Sequence, residues 1–322
     1  MLRRVTFPDK TAGRTRRAVL AGLAAASLAG RSAAAGQDQR PLVVASKSDT
    51  EGAIAGGMIA LVLEDMGLPV ERRLGLGPTL IVRSALLAGD VDIYPEYTGN
   101  GAFFTGTETD PAWKDGQAGY DAIRRADAAR GLVWLARAPA DNTWAIAVRG
   151  ALARKWRLAT MTDFAGAVGR GLIRLAASTE FVESPAALPA FEAAYAFTLP
   201  LDRIVSLPGG DTAVTARAAA QGISGVNAGM VYGTDGSLDA LDLVVMADPK
   251  GAQIVYEMAP VIRRAALSRH PDIAERLGRV FRGLDAATLR RLNARVAVEG
   301  QVAEAVARTY LRERGLIGGE GR

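Results

Sequence analysis

The chain has 322 residues, 49% of them hydrophobic and 23% charged, a make-up that excludes disordered and fibrous classes and allows one large or two medium cores. With no cysteine and a single histidine, it has no thiolate nucleophile, disulfide, dithiol redox pair or structural zinc site of the usual ligands. The formal charge of +5 hints at an acidic partner, but where that charge lies in the chain decides otherwise.

Residues 1–35 read as an export signal that is cleaved. Arg14, Arg16 and Arg17 precede an uncharged stretch from Ala18 to Gly30, and Ala33, Ala34 and Ala35 offer small residues to a peptidase. The uncharged stretch is too short to span a bilayer as a helix, although an uncleaved anchor is the competing reading. Thr15-Arg16-Arg17-Ala18-Val19-Leu20 resembles a twin-arginine signal, and Arg31 near the cleavage region suits that route to the periplasm. The segment holds seven basic residues (Arg3, Arg4, Lys10, Arg14, Arg16, Arg17 and Arg31) against Asp9. Of the 39 basic and 34 acidic side chains, 32 and 33 therefore remain after cleavage. The mature protein is near neutral, and no nucleic-acid partner is expected.

Beyond the signal, apolar runs of four to six residues alternate with amphipathic segments, the pattern of βαβ units. Leu42 to Ala45 predicts a strand. Ser48-x-x-Glu51 then offers a capping box for a helix whose apolar face is Ile54, Met58, Leu61, Val62 and Met66, ended by Gly67. A strand from Val70 to Leu74 leads to a helix from Thr79 to Gly89, and Val91 to Tyr94 predicts a third strand. A second set follows the run Trp144 to Val148. It comprises a helix from about Thr162, a strand Leu172 to Ala176, a helix Ser184 to Tyr195, a strand Ile204 to Leu207, a helix from Thr212 to Gln221 capped by Asp211, and a strand through Met230 to Tyr232. After Leu243 to Met246, helices are expected near 271–283, 285–297 and 301–314. The fold class is α/β with two lobes, and no Pro/Gly-rich linker separates them.

Ligands on parallel sheets bind beyond the carboxyl ends of strands. In Asp92-Ile93-Tyr94-Pro95-Glu96-Tyr97-Thr98-Gly99-Asn100, Tyr97 is expected in the loop after its strand. Trp144 opens a strand after Asp141-Asn142-Thr143, Tyr232 ends one before Gly233-Thr234-Asp235, and Tyr256 lies where the chain should return to the first lobe. Each alone is more often a packing residue. Together, all four fall at strand ends facing a cleft. His270 reads as a loop residue ahead of a helix, and no G-x-S-x-G, Walker loop or G-x-G-x-x-G follows a strand.

The blocks VVASKSDTEGAIAGGMIALVLEDMG, GDVDIYPEYTGN, DNTWAIAV, EFVESPAALPAFEAAYAF, GGDTAVTARAAAQG, GMVYGTDG and YEMAPVI, in order across residues 41 to 318, resemble the periplasmic substrate-binding proteins of ABC importers for glycine betaine, choline and related osmoprotectants, most of all the OsmF (YehZ) branch. The resemblance implies a type II periplasmic binding protein, each lobe a mainly parallel sheet flanked by helices, with the ligand in the interlobe cleft. It implies a first lobe of residues 41–147 and 249–322 and a second of 148–248. It also implies a monomer that binds a quaternary ammonium solute without chemistry or cofactor, and whose partners are an ABC permease and its ATPase. By the same resemblance Tyr97, Trp144, Tyr232 and Tyr256 would box the cation, while Lys47, Asn100 and Ser184 would face the ligand's carboxylate. Family members with high affinity carry arginine where this chain has Ser184. A serine supplies no charge-assisted pair, so weak betaine binding is expected, micromolar at best. Ser184 is also a natural cap for a helix starting at Pro185.

Glu96 is open to three readings, negative potential near the cation, a lobe-edge contact to the permease, or a bond to the backbone. An exported hydrolase using Glu96, Glu180 or Asp211 is the alternative from another class, and an amino-acid receptor of the same fold is the neighbouring one.

Overall fold

The computed structural model describes residues 40–207 and 212–318. The expected export signal, and Asp211 as a helix cap, lie outside them.

The first strand, β1 (Leu42–Lys47), is followed at once by Asp49, whose carboxylate accepts from the Gly52 amide and caps α1 (Thr50–Asp65). Asp49, not Ser48, is thus the cap, and its charge also suits the positive end of the helix. The first set continues with β2 (Val70–Gly77), α2 (Thr79–Ala88), β3 (Ile93–Tyr97), α3 (Asn100–Thr105), α4 (Gly116–Ala128) and β4 (Leu132–Trp134). The chain then enters β5 (Trp144–Arg149), α5 (Gly150–Trp156), α6 (Met161–Gly169), β6 (Leu175–Ser178) and α7 (Thr179–Glu183). It goes on through α8 (Leu188–Tyr195), β7 (Ile204–Leu207), α9 (Thr212–Gln221), β8 (Ala228–Tyr232) and β9 (Leu243–Val245). It returns through β10 (Met258–Arg263) and closes with α10 (Arg264–Arg269), α11 (Ile273–Phe281), α12 (Ala286–Ala297) and α13 (Ala303–Glu313).

Among the described residues two five-stranded sheets result, ordered β2-β1-β3-β10-β4 and β7-β6-β8-β5-β9. In each, four strands run one way and the fourth in order runs against them: β10 pairs antiparallel with β3 and β4, and β5 with β8 and β9. These two are the strands that arrive from the other lobe. Each enters at the edge where its neighbours end, Met258 opposite Tyr97 and Trp144 opposite Tyr232, so it can only run back along them. The expected lobe boundary between residues 147 and 148 falls inside β5, all of which pairs in the second sheet.

Apolar side chains cover both faces of both sheets. One face of the first sheet is covered by α1, which lies against α11, α12 and α13 on its other side. That position explains why α1 is buried from Ile54 to Leu63 on every side, and not only along the stripe read from periodicity.

Candidate functional site

A cavity of about 1120 Å³ lies between the two sheets. Its first wall is built from the ends of β1 and β3. Lys47 is the last residue of β1, and Tyr97 is the last residue of β3, not part of the following loop; Asn100 opens α3. Tyr97 is buried, and its hydroxyl donates to Glu51 Oε1 at 2.7 Å. Burial and the nearby Glu51 and Asp49 hold that phenol well above its ordinary range, so the ring stays neutral.

Behind this wall sits Glu96, fully buried and absent from the cavity lining. It accepts from Lys47 Nζ at 2.5 Å, the Tyr94 hydroxyl at 2.6 Å, the Tyr97 amide at 2.7 Å and Asn100 Nδ2 at 2.8 Å. A lobe-edge contact to a permease is therefore excluded for Glu96 by its burial. The two first-lobe side chains expected to meet a ligand carboxylate, Lys47 and Asn100, are both already tied to it. Lys47 Nζ also stands 4.7 Å from the centre of the Tyr97 ring.

The crossing segments place the next ring. The Tyr256 amide donates to Asp141 Oδ1 at 2.7 Å, the Asn142 amide to the Tyr256 carbonyl at 3.0 Å, and the Thr143 hydroxyl to the Ile254 carbonyl at 2.7 Å. The turn after β3 is stitched to the same strip, because the Glu257 amide donates to Thr98 Oγ1 and the Thr98 amide to the Glu257 carbonyl, each at 3.0 Å. Tyr256 packs so closely on Gly99 that a Cβ there would lie 2.7 Å from the ring. Desolvation raises the Asp141 carboxyl to about 6, and it also raises the Tyr256 phenol.

On the second wall, the sheet register sets Trp144 directly opposite Tyr232. Trp144 stands edge-on to Phe181, with ring centres 6.0 Å apart at 89°. Phe181 is held by α7, whose cap Ser178 accepts its amide at 3.0 Å. Glu180, Thr212 and Arg217 complete this side.

Tyr97, Trp144, Tyr232 and Tyr256, together with Lys47 and Asn100, all line the one cavity. Ser184 does not. It ends α7, its amide bonded to the Glu180 carbonyl at 2.8 Å, and Glu180 one turn earlier takes the cleft position. Nor does Ser184 cap the next helix, which starts later, at Leu188, behind Ala187. His270 follows α10, away from the lining.

Sequence reading missed Asp49, Glu51 and Asp235 as lining residues. Glu51 could have been found: it stands in the first turn of a helix leaving a sheet edge, where a side chain points at any ligand. Asn293, 242 residues away and bonded to Glu51 at 2.7 Å, carries no local signal. The lining is acidic, with Asp49, Glu51, Glu180 and Asp235 against Lys47 and Arg217.

Comparison with known proteins adds four findings. The model of the substrate-binding domain of the ABC-type glycine betaine transport system matches residues 40–313. The chain is 50% identical over 281 residues to the glycine betaine-binding protein YehZ of Escherichia coli K12, covering 87% of this chain and 92% of the relative. It is 32% identical over 306 residues to a glycine-betaine-binding protein of Pseudomonas aeruginosa, covering 92% and 93%. The solved structure of apo YehZ superposes with a TM-score of 0.79 over 86% of this chain and 99% of that one.

Proposed function

This chain belongs to the family of substrate-binding domains of ABC-type glycine betaine transport systems. From that premise we propose that its cleft encloses the quaternary ammonium group of glycine betaine or a close analogue and delivers it to an importer's permease. The observation that carries the proposal is the meeting of four aromatic side chains, drawn from both lobes, around one acidic cavity. A trimethylammonium has no N–H to donate, so directional hydrogen bonds cannot hold it. Ring faces can, each contributing roughly 0.5 to 2 kcal/mol. Trp144 offers the strongest such face.

The carboxylate end of betaine is met less well. Lys47 approaches it with its charge already countered by Glu96, and Ser184 contributes no guanidinium. Binding of betaine is accordingly weak, in the micromolar to millimolar range, because a lost charge-assisted hydrogen bond removes roughly 1.5 to 3 kcal/mol. Ligand drives lobe closure by binding the closed form more tightly, and that form is what the permease reads. The protein works as an extracytoplasmic monomer beside a permease and its ATPase, exported through the twin-arginine signal at Arg16 and Arg17. Replacing both by lysine should leave the full-length chain in the cytoplasm on fractionation.

The test is isothermal titration with betaine, choline, carnitine, a primary amino acid and a sugar, with the ligand recovered afterwards. Saturable binding of quaternary ammonium compounds, weakened by Tyr232→Ala and Tyr256→Ala, supports the reading. Preference for the amino acid, indifference to both substitutions, or turnover of any ligand overturns it.

A further inference from the structure

Helix α12 belongs to neither sheet. It packs on the first lobe through Leu289 and Leu292. Two of its polar side chains reach across to the second lobe. Asn293 Nδ2 donates to Glu51 Oε2 at 2.7 Å and to the Thr234 carbonyl at 2.8 Å, and Arg290 Nε donates to the Gly233 carbonyl at 2.8 Å. Gly233 and Thr234 form the turn that directly follows Tyr232. In that turn Gly236 lies so near α12 that a Cβ on it would stand 2.2 Å from the Ala294 nitrogen. On the first-lobe side Glu51 continues the chain of bonds, since its other oxygen accepts the Tyr97 hydroxyl.

We infer that α12 is a clasp between the lobes and that Asn293 is its positioning residue, limiting how far Tyr97 and Tyr232 can part before any ligand arrives. An amide suits this position because its two N–H groups serve two acceptors and it brings no charge to compete with a bound cation. Asn293 and Thr234 are both buried, so neither bond is exchanged for water without moving the lobes. A contact made before ligand binds raises the fraction of molecules competent to bind, and with it the apparent affinity. That consequence for affinity rests on the functional reading above. The clasp itself does not.

The chain has no cysteine, so Arg125→Cys in α4 and Thr162→Cys in α6 give one spin-label site on each lobe. In ligand-free protein, Asn293→Ala and Arg290→Ala should lengthen and broaden the interlobe distance, with α-helix content unchanged by circular dichroism. Titrated with betaine, Asn293→Ala should bind about tenfold more weakly, on the order set by one lost hydrogen bond. Tyr256→Ala should weaken binding without altering the ligand-free distance. Arg290 is half-buried and its loss strands no buried charge, so this variant tests the clasp even if Asn293→Ala does not fold. Ligand-free distances identical to the unsubstituted protein in each folded clasp variant overturn the inference. Absence of any quaternary ammonium binding by the unsubstituted protein would instead defeat the functional reading, and the ligand-free distances would still decide the clasp.

Discussion

A carboxylate shut away from water needs donors to replace its hydration, and Glu96 has four, one of them the ammonium of Lys47, itself 6% exposed. Removing one partner of such a buried pair strands the other, so Glu96→Ala should lower stability by about 3 to 5 kcal/mol, read from the denaturant midpoint. Arg154→Ala breaks an ion pair with Asp242 that is open to solvent on both sides, and the same measurement should barely move. Asp141 makes the opposite case. Its carboxyl is raised by burial to about 6 in the folded protein, above an unfolded value near 3.8, so the folded state holds its proton more tightly. That contribution to stability is complete below about pH 4 and is lost as pH rises through 6. Asp141→Asn keeps an acceptor for the Tyr256 amide and should therefore stabilise the protein at pH 7 by on the order of 2 to 3 kcal/mol. Melts of the two proteins should converge at pH 4, and a constant gap from pH 4 to 8 would contradict this account.

At the scale of elements, the site depends on two crossing segments that are hydrogen-bonded to each other and to the turn after β3. Gly99 lets that turn pass under the Tyr256 ring. Gly99→Ala places a methyl 2.7 Å from ring carbons, closer than contact allows, so the ring must tilt out of the cavity. Affinity for a quaternary ammonium should then fall by roughly the worth of one ring face, three- to thirtyfold by titration. Stability should fall much less, because the ring is only half-buried and can move toward solvent.

For the whole molecule, the proposed function makes ligand binding and lobe closure one equilibrium. A ligand bound only by the native state adds RT ln(1 + [L]/Kd) to stability, about 2.7 kcal/mol at a hundredfold excess over Kd. With weak binding, the Tm should rise only at millimolar betaine, alongside a decrease in radius of gyration by X-ray scattering. A rise saturating at nanomolar ligand would show that the carboxylate is held by more than Lys47 provides.

Much of this organisation is local and was legible in sequence. Periodicity placed β7 at its exact bounds and the three C-terminal helices within a few residues, because strand and helix repeats are set by neighbours two to four positions apart. Trp144 and Tyr232 stand at the strand ends read for them, whereas Tyr97 closes its strand instead of entering the loop and Tyr256 lies in the crossing segment just before β10. What periodicity passed over was the stretch holding α3, α4 and β4, whose half-buried faces dilute the pattern, and the central position of α1, whose outer cover comes from helices more than 200 residues later.

Tertiary structure alone decided what the site's charges do. Glu96 reaches Lys47 across 49 positions and Glu51 reaches Asn293 across 242, and no local rule pairs them. Ser184 shows the same limit from the other side: its neighbours mark a helix start, yet the chain turns there and Glu180 faces the cleft. Residue types and their spacing determined which groups stand at the mouth of each strand. Which of those groups is left free to meet a solute depends on electrostatic partners brought in from distant segments, and only the folded chain makes those pairings.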